Sequence, residues 1–477
     1  MSRITALLLL AAVAFAGEPT RLELAQSNIP FGKTWYGVYL QGKKSGFASR
    51  TISREKDEIV VSTVVHVEIS SMGKPVTMDI VDEARFAATP PYTYQGGKMV
   101  MASPKGKTDI SARREGDQLL LKLEASREMK KPAPDFTLAD ALGGELWVRE
   151  PRKVGDTITV RAYTLATTQN SLMTMRVGKV EEAVVQGVPL TYYHVLSKDS
   201  AMGPLGTSRI SSQGEMLSMV MGNFMESRLE PEKIAKQLEK SGDLFFESFI
   251  RPDQPLGDPR KVRALVLEVT GKGIDAIQSG PQQTVTPVGE GVIRLALGVK
   301  HGAPVKATEA EIAENLEETV EFPVKNATIQ ALARGAIGDA TTVREKVDRL
   351  VYFVSRYVDD TLRPEPVTVL QVMAEANGDC QEHSIFFATL ARAAGIPART
   401  VAGLGYVPGK MNAFGGHAWN EVVIDGHWIP VDSTWHETTV DAAHIRVGEG
   451  MRGLTQMSWA LGALKLKVIE VERDEGK

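Results

Sequence analysis

The chain has 477 residues, too many for a single hydrophobic core, so about two or three domains are expected. With 43% apolar residues, 24% charged residues and a formal charge of −4, the composition is that of an ordinary folded chain. That balance gives no electrostatic basis for binding nucleic acid or an anionic membrane surface.

The N-terminus has one charge, Arg3, ahead of an apolar stretch from Ile4 to Phe15 and a small-x-small site at Ala14-Phe15-Ala16. This pattern predicts a signal peptide over 1–16, cleaved after Ala16, and export to the periplasm or the medium. The stretch is too short to span a membrane, and no later segment is long enough. Cys380 is the one cysteine. An intrachain disulfide is therefore excluded, and an exported lone thiol is either a buried hydrophobe or a reactive group.

Residues 17–250 read as a β-rich domain. Val61, Thr63, Val65, Val67 and Ile69 alternate with other residues, as do the positions from Thr157 to Tyr163, and turn clusters such as Glu115-Gly116-Asp117 separate the runs. An antiparallel sheet or a partly closed barrel is expected. Met216, Met219, Met221 and Met225 suit core packing better than an adaptable binding surface. A Pro-containing polar segment, Arg251 to Pro255, opens a linker and small β module over 251–325, with strands at Lys261–Thr270 and Val292–Val299.

From residue 326 to 477 the pattern becomes mixed. Thr342-Val343-Arg344-Glu345 has capping-box spacing and opens a helix with Val343, Val347, Leu350 and Val354 on one face. A short helix over Val369–Ala376 ends at Asn377-Gly378. Asp379-Cys380-Gln381-Glu382 is a second capping box, followed by an apolar run from Ile385 to Ala394 and a stop at Gly395 and Pro397. Cys380 thus falls in the first turn of a helix, where unpaired amides and the dipole favour a thiolate and could bind an oxyanion. Asp379 and Glu382 oppose that by raising the thiol pKa, so a cationic partner is needed.

After a strand, Ala398–Val407, and a loop over 408–416, two runs flank Asp425-Gly426, a hairpin signal of type I′. The implied register sets Ile424 opposite His427 and Trp419 opposite Asp432. His417, two residues before Trp419, then shares a face with Asp432 as a diagonal neighbour, close enough for a hydrogen bond. Cys380 as nucleophile, His417 as base and then acid, and Asp432 as the group fixing the imidazole tautomer make a complete acyl-transfer triad. His417, His427, His436 and His444 cluster at spacings of ten, nine and eight, which fit no compact zinc pattern, so no metal and no cofactor are expected. Trp419, Trp428 and Trp435 either floor a groove or pack the sheet. Tyr357 and Gln371 are upstream candidates for a second oxyanion donor.

Gly378-Asp379-Cys380-Gln381-Glu382, Ala391-Arg392-Ala393-Ala394-Gly395-Ile396-Pro397-Ala398-Arg399, Gly416-His417-Ala418-Trp419 and Val431-Asp432-Ser433-Thr434-Trp435 resemble the core blocks of the bacterial transglutaminase-like superfamily, in order and interval. The resemblance covers roughly residues 326 to 440. It implies a papain-like α+β domain with a triad at Cys380, His417 and Asp432 and acyl transfer through a thioester. The expected function is a thiol peptidase or amidohydrolase acting on a protein or peptide, cell-wall peptide included. Transglutamination to an amine acceptor is the alternative chemistry, and a non-catalytic binding or assembly protein the alternative class.

Overall fold

The computed structural model describes residues 18–474, apart from 72, 104–105, 124–127, 167, 186–187, 223, 240–242, 244–246 and 362–367. The expected signal peptide lies outside the described residues.

A fourteen-stranded antiparallel sheet occupies Gly32 to Leu229. It begins at its own centre. From Gly32–Leu40 the chain runs outward, hairpin by hairpin, to an edge strand at Met129–Pro132. It then crosses through two short helices, Leu138–Ala141 and Gly143–Trp147, to the opposite edge at Thr157–Thr164. From there it returns inward until Met225–Leu229 pairs with Gly32–Leu40. The sheet curls on itself: Tyr94 and Tyr163, on strands far apart in the order, have ring centroids 5.2 Å apart. Phe86, Leu119 and Leu121 pack there against Leu138 and Leu142 of the crossing helices. Alternation produces the buried face, with Ile158 and Val160 inside and Thr157 exposed. The methionines from Met216 to Met225 are half-buried strand residues, and Met225 packs on Val38 and Leu40.

The segment after residue 250 is held in place by backbone pairing. Asp253 N–H donates to Leu466 O (3.0 Å), and the Asp253 side chain accepts from Val468 N–H (2.8 Å). Val262–Gly271 pairs on one side with Val292–Leu297 and on the other with Leu464–Arg473, in a four-stranded sheet. The small β module therefore shares a sheet with residues from beyond 326. A single apolar cluster runs from this sheet (Leu265, Leu267, Leu295) into Leu404, Tyr406, Phe414 and Ile445 of the next.

That next sheet has five strands in the order Val305–Lys306, His427–Val431, Ala413–Ile424, Ala398–Val407, His444–Glu449. Helices Ala327–Ile337, Val343–Tyr357 and Cys380–Ala393 form a core cluster against it. The Thr342 capping box forms, but Val343 is 40% exposed at the first helical position; Val347, Leu350, Val351 and Val354 make the buried stripe. A residue at the first position has no preceding turn to lie against, which explains the shift of one member. Ala376, in the left-handed region (φ 53°), ends the short helix Val369–Glu375, and Asn377-Gly378 instead pairs in parallel with Asp359-Asp360. That pairing fixes the backbone immediately before Asp379.

Candidate active site

The Asp379 box forms as expected. Gln381 N–H donates to Asp379 Oδ1 (3.0 Å), and Asp379 N–H to Glu382 Oε2 (2.9 Å). Cys380 is the first residue of the helix, and everything from Glu382 to Arg392 is buried. Asn420, fully buried on the strand Ala413–Ile424, donates through Nδ2 to Ser384 O (2.8 Å) and Arg399 O (3.3 Å), tying the helix to the sheet.

This docking brings Cys380 against the strand that carries His417: the N–H of Ala418, the next residue along, donates to the Cys380 sulfur. Burial pushes the thiol pKa well up, the Asp379, Asp432 and Glu382 carboxylates push the same way, and the Ala418 N–H pulls against them. Glu382 is itself pushed up to about 8 by burial and the adjacent Asp379 charge. Cys380 is half-buried.

The hairpin has the register expected of Asp425-Gly426. Both residues have positive φ (49° and 77°), Ile424 pairs with His427, and the ladder runs on to Asn420 opposite Val431. His417 Nε2 donates to Asp432 Oδ2 at 2.8 Å with both residues buried. One expectation changes: the strand bearing His417 starts at Ala413, so the loop is shorter and Gly415-Gly416 lie inside the ladder. On the neighbouring strand, Gly403 and Gly405 pair with His417 and Gly415. A Cβ on Gly405 would come within 2.5 Å of Trp435 and 3.0 Å of His417. Their bare backbone leaves space for Trp435 to stack on the His417 ring at 4.0 Å between centroids and 10° between planes.

Asp432 is fully buried, where an unpaired carboxylate would be very costly. Its Oδ1 accepts Thr434 N–H (2.7 Å) and Trp435 N–H (3.3 Å). Burial alone would raise its pKa, but the charge and hydrogen bond of His417 and the hydrogen bond of His444 hold it far below the usual carboxylate range.

His444 is the residue the sequence did not single out for the triad. It is buried, with Nε2 3.4 Å from Asp432 Oδ2 and Nδ1 3.1 Å from Asp441 Oδ1. Burial works to lower its pKa. The hydrogen bonds to Asp432 and Asp441 and the charges of Asp441 and Glu437 outweigh burial and raise it to about 10. Of the four clustered histidines, His417 and His444 converge. His427 instead faces Asp425 O, and His436 packs by Tyr352. His417, Asp432 and His444, or Glu437, Asp441 and His444, bring their ligand-type atoms within 4.8 Å of one another. In both groups His444 faces carboxylates through its ring nitrogens.

The other aromatic and polar candidates are engaged elsewhere. Trp419 and Trp428 are core residues, and the Arg399 guanidinium lies over Trp428 at 3.8 Å. Tyr357 donates to Met373 O (2.7 Å), and Gln371 caps its own helix through Thr368. Farther along the strand that carries His417, buried Glu421 accepts from Arg399 Nε and Arg446 Nε, both at 2.8 Å.

Residues 330–433 match the family model of the transglutaminase-like superfamily, a span that contains Cys380, His417 and Asp432 and stops short of His444. Comparison with curated proteins finds no match. Among solved structures, similarity is found to a "putative cysteine protease" of Cytophaga hutchinsonii, at 15% identity over 44% of this chain and 84% of that one, with a TM-score of 0.29. A beta-barrel-like protein of a domain of unknown function from Brucella abortus matches at 11% identity over 42% and 94% of the two chains, TM-score 0.31. A "putative protease" of Parabacteroides distasonis matches at 10% identity over 72% and 68%, TM-score 0.20. At such scores the superpositions are too loose to relate one chain's function to another's.

Proposed function

Taking as premise that residues 330–433 form a transglutaminase-like domain, we propose that the protein is an exported cysteine-dependent acyl-transfer enzyme that hydrolyses peptide or isopeptide amide bonds. The observation that carries this is the His417–Asp432 hydrogen bond beside a helix-terminal thiol.

Asp432 accepts the Nε2 proton of His417, so the neutral imidazole presents a lone pair at Nδ1. In the proposed reaction Nδ1 takes the proton of Cys380 as sulfur attacks the amide carbonyl. Helix-start amides, that of Cys380 first among them, are suited to receive the developing oxyanion. His417 returns the proton to the departing amine and leaves an acyl thioester. Water, deprotonated by the same imidazole, then releases the acid and regenerates the thiol. The raised thiol pKa favours this neutral-pair route, in which the proton moves as the bond forms. An amine in place of water would make the enzyme a transglutaminase.

A thiol-reactive probe tests the reading. Cys380 is expected to be captured by a peptide aldehyde, a carbonyl probe that lets His417 take the thiol proton as the C–S bond forms, and Cys380→Ala to lose that capture and all amide hydrolysis. Hydrolysis by Cys380→Ala at the parent rate sinks the proposal, and amine incorporation outpacing hydrolysis moves it to transglutamination.

A further inference from the structure

His444 contacts Asp432 through Nε2 and Asp441 through Nδ1. A neutral imidazole has one N–H, so it can donate to only one of them, and the second carboxylate would face a buried lone pair. Asp441 does not resolve the conflict as a proton donor at this contact: its Oδ1 also accepts Ala443 N–H at 2.7 Å. The contacts are satisfied together when both nitrogens of His444 carry protons. His417 lies close by, with its ring centroid 5.6 Å from that of His444, and both imidazoles converge on the same oxygen, Asp432 Oδ2. Gly405 pairs with His444 and Gly403 with His417, so the strand between them carries no side chain to separate the two rings.

We propose that His444 is a permanently protonated positioning residue, a fixed cation that shares the Asp432 carboxylate with His417 and keeps His417 a free base. A positive charge this close and this buried repels a proton arriving on His417. It also spreads the attraction of Asp432 over two rings. The groups that face His444 are Asp432 and His417 on the catalytic side and Asp441 and Glu437 in the connecting loop. Glu421 and its partner Arg446 lie farther along the same wall. The net effect is a site held ready for proton abstraction instead of a standing thiolate–imidazolium pair. The role in catalysis rests on the acyl-transfer reading; the protonation of His444 does not.

Two measurements on the full chain separate these. In histidine-labelled protein, nuclear magnetic resonance should show the His444 imidazole, identified by its loss in His444→Gln, with both ring N–H protons retained through pH 8. Removing a fixed cation raises the pKa of every neighbouring acid, so both limbs of the pH profile for Cys380 alkylation should move to higher pH in His444→Gln, by about one unit. A purely structural histidine would lower the plateau and leave both limbs where they were. The proposal is overturned if the His444 signal in the wild type titrates between pH 6 and 7, or if the limbs do not move. If His444→Gln does not fold, Asp441→Asn serves instead, with the His444 titration expected at lower pH. Failure of wild-type Cys380 to capture the peptide aldehyde counts against the acyl-transfer reading alone, because the resonance experiment judges the charge of His444 without it.

Discussion

Two sheets of this chain hold arginines among carboxylates, under different conditions. On the N-terminal sheet Arg85 reaches Glu55, Glu58 and Glu83 with its side chain 33% exposed. In the C-terminal sheet Arg399 and Arg446 close on Glu421, which is 1% exposed. Solvent competes for the first cluster far more than for the second, so similar bond lengths carry unequal weight. Exposed pairs contribute about 0–1 kcal/mol, whereas losing one partner of a buried pair costs about 3–5 kcal/mol. Of these two clusters, the one that is costly to break lies in the sheet that positions Cys380 and His417; the N-terminal sheet has a buried pair of its own in Lys44 and Glu230.

The largest expected break in that contrast lies at the proposed triad. Asp432→Asn presents an amide to His417, favours the wrong tautomer and leaves His444 short of a counter-charge. Amide hydrolysis should fall by about 10⁴-fold, and a loss below tenfold would remove Asp432 from the mechanism. Glu421→Gln is the intermediate case. It leaves two buried guanidinium groups facing a neutral side chain, and denaturant unfolding should show a loss of about 3–5 kcal/mol. Arg85→Ala should cost no more than about 1 kcal/mol in the same assay. If the last two variants proved equal, the division between the sheets would be wrong.

The site was readable where the chemistry is local. Asp425-Gly426 imposes positive φ at two adjacent positions, and that turn fixes which residues face across the ribbon, so the His417–Asp432 pairing followed from counting. The Asp379 box likewise sets the start of its helix. His444 was read only as one of four clustered histidines, and its place beside Asp432 was missed because its strand joins the sheet beside Ala398–Val407, a pairing that no turn dictates. The strand Ala413–Ile424 was read short for a related reason: Gly415-Gly416 looks like loop punctuation until Phe249, which a Cβ on Gly415 would meet at 2.6 Å, is seen against it. In the N-terminal region alternation and turns show the strands. Joining two meanders at their first and last members, Gly32–Leu40 and Met225–Leu229, is a closure across the whole domain and leaves no local trace.

The strand Leu464–Arg473, paired with Val262–Gly271, sets an order of events during synthesis. The β module around residue 262 emerges early, yet one side of its central strand stays without a partner until some two hundred further residues have been made. That module packs against Leu404, Tyr406 and Phe414, on the strands that flank the histidine. Cys380 is therefore translated well before the scaffold supporting His417 is complete, and a chain halted short of residue 464 would carry the thiol without the finished sheet.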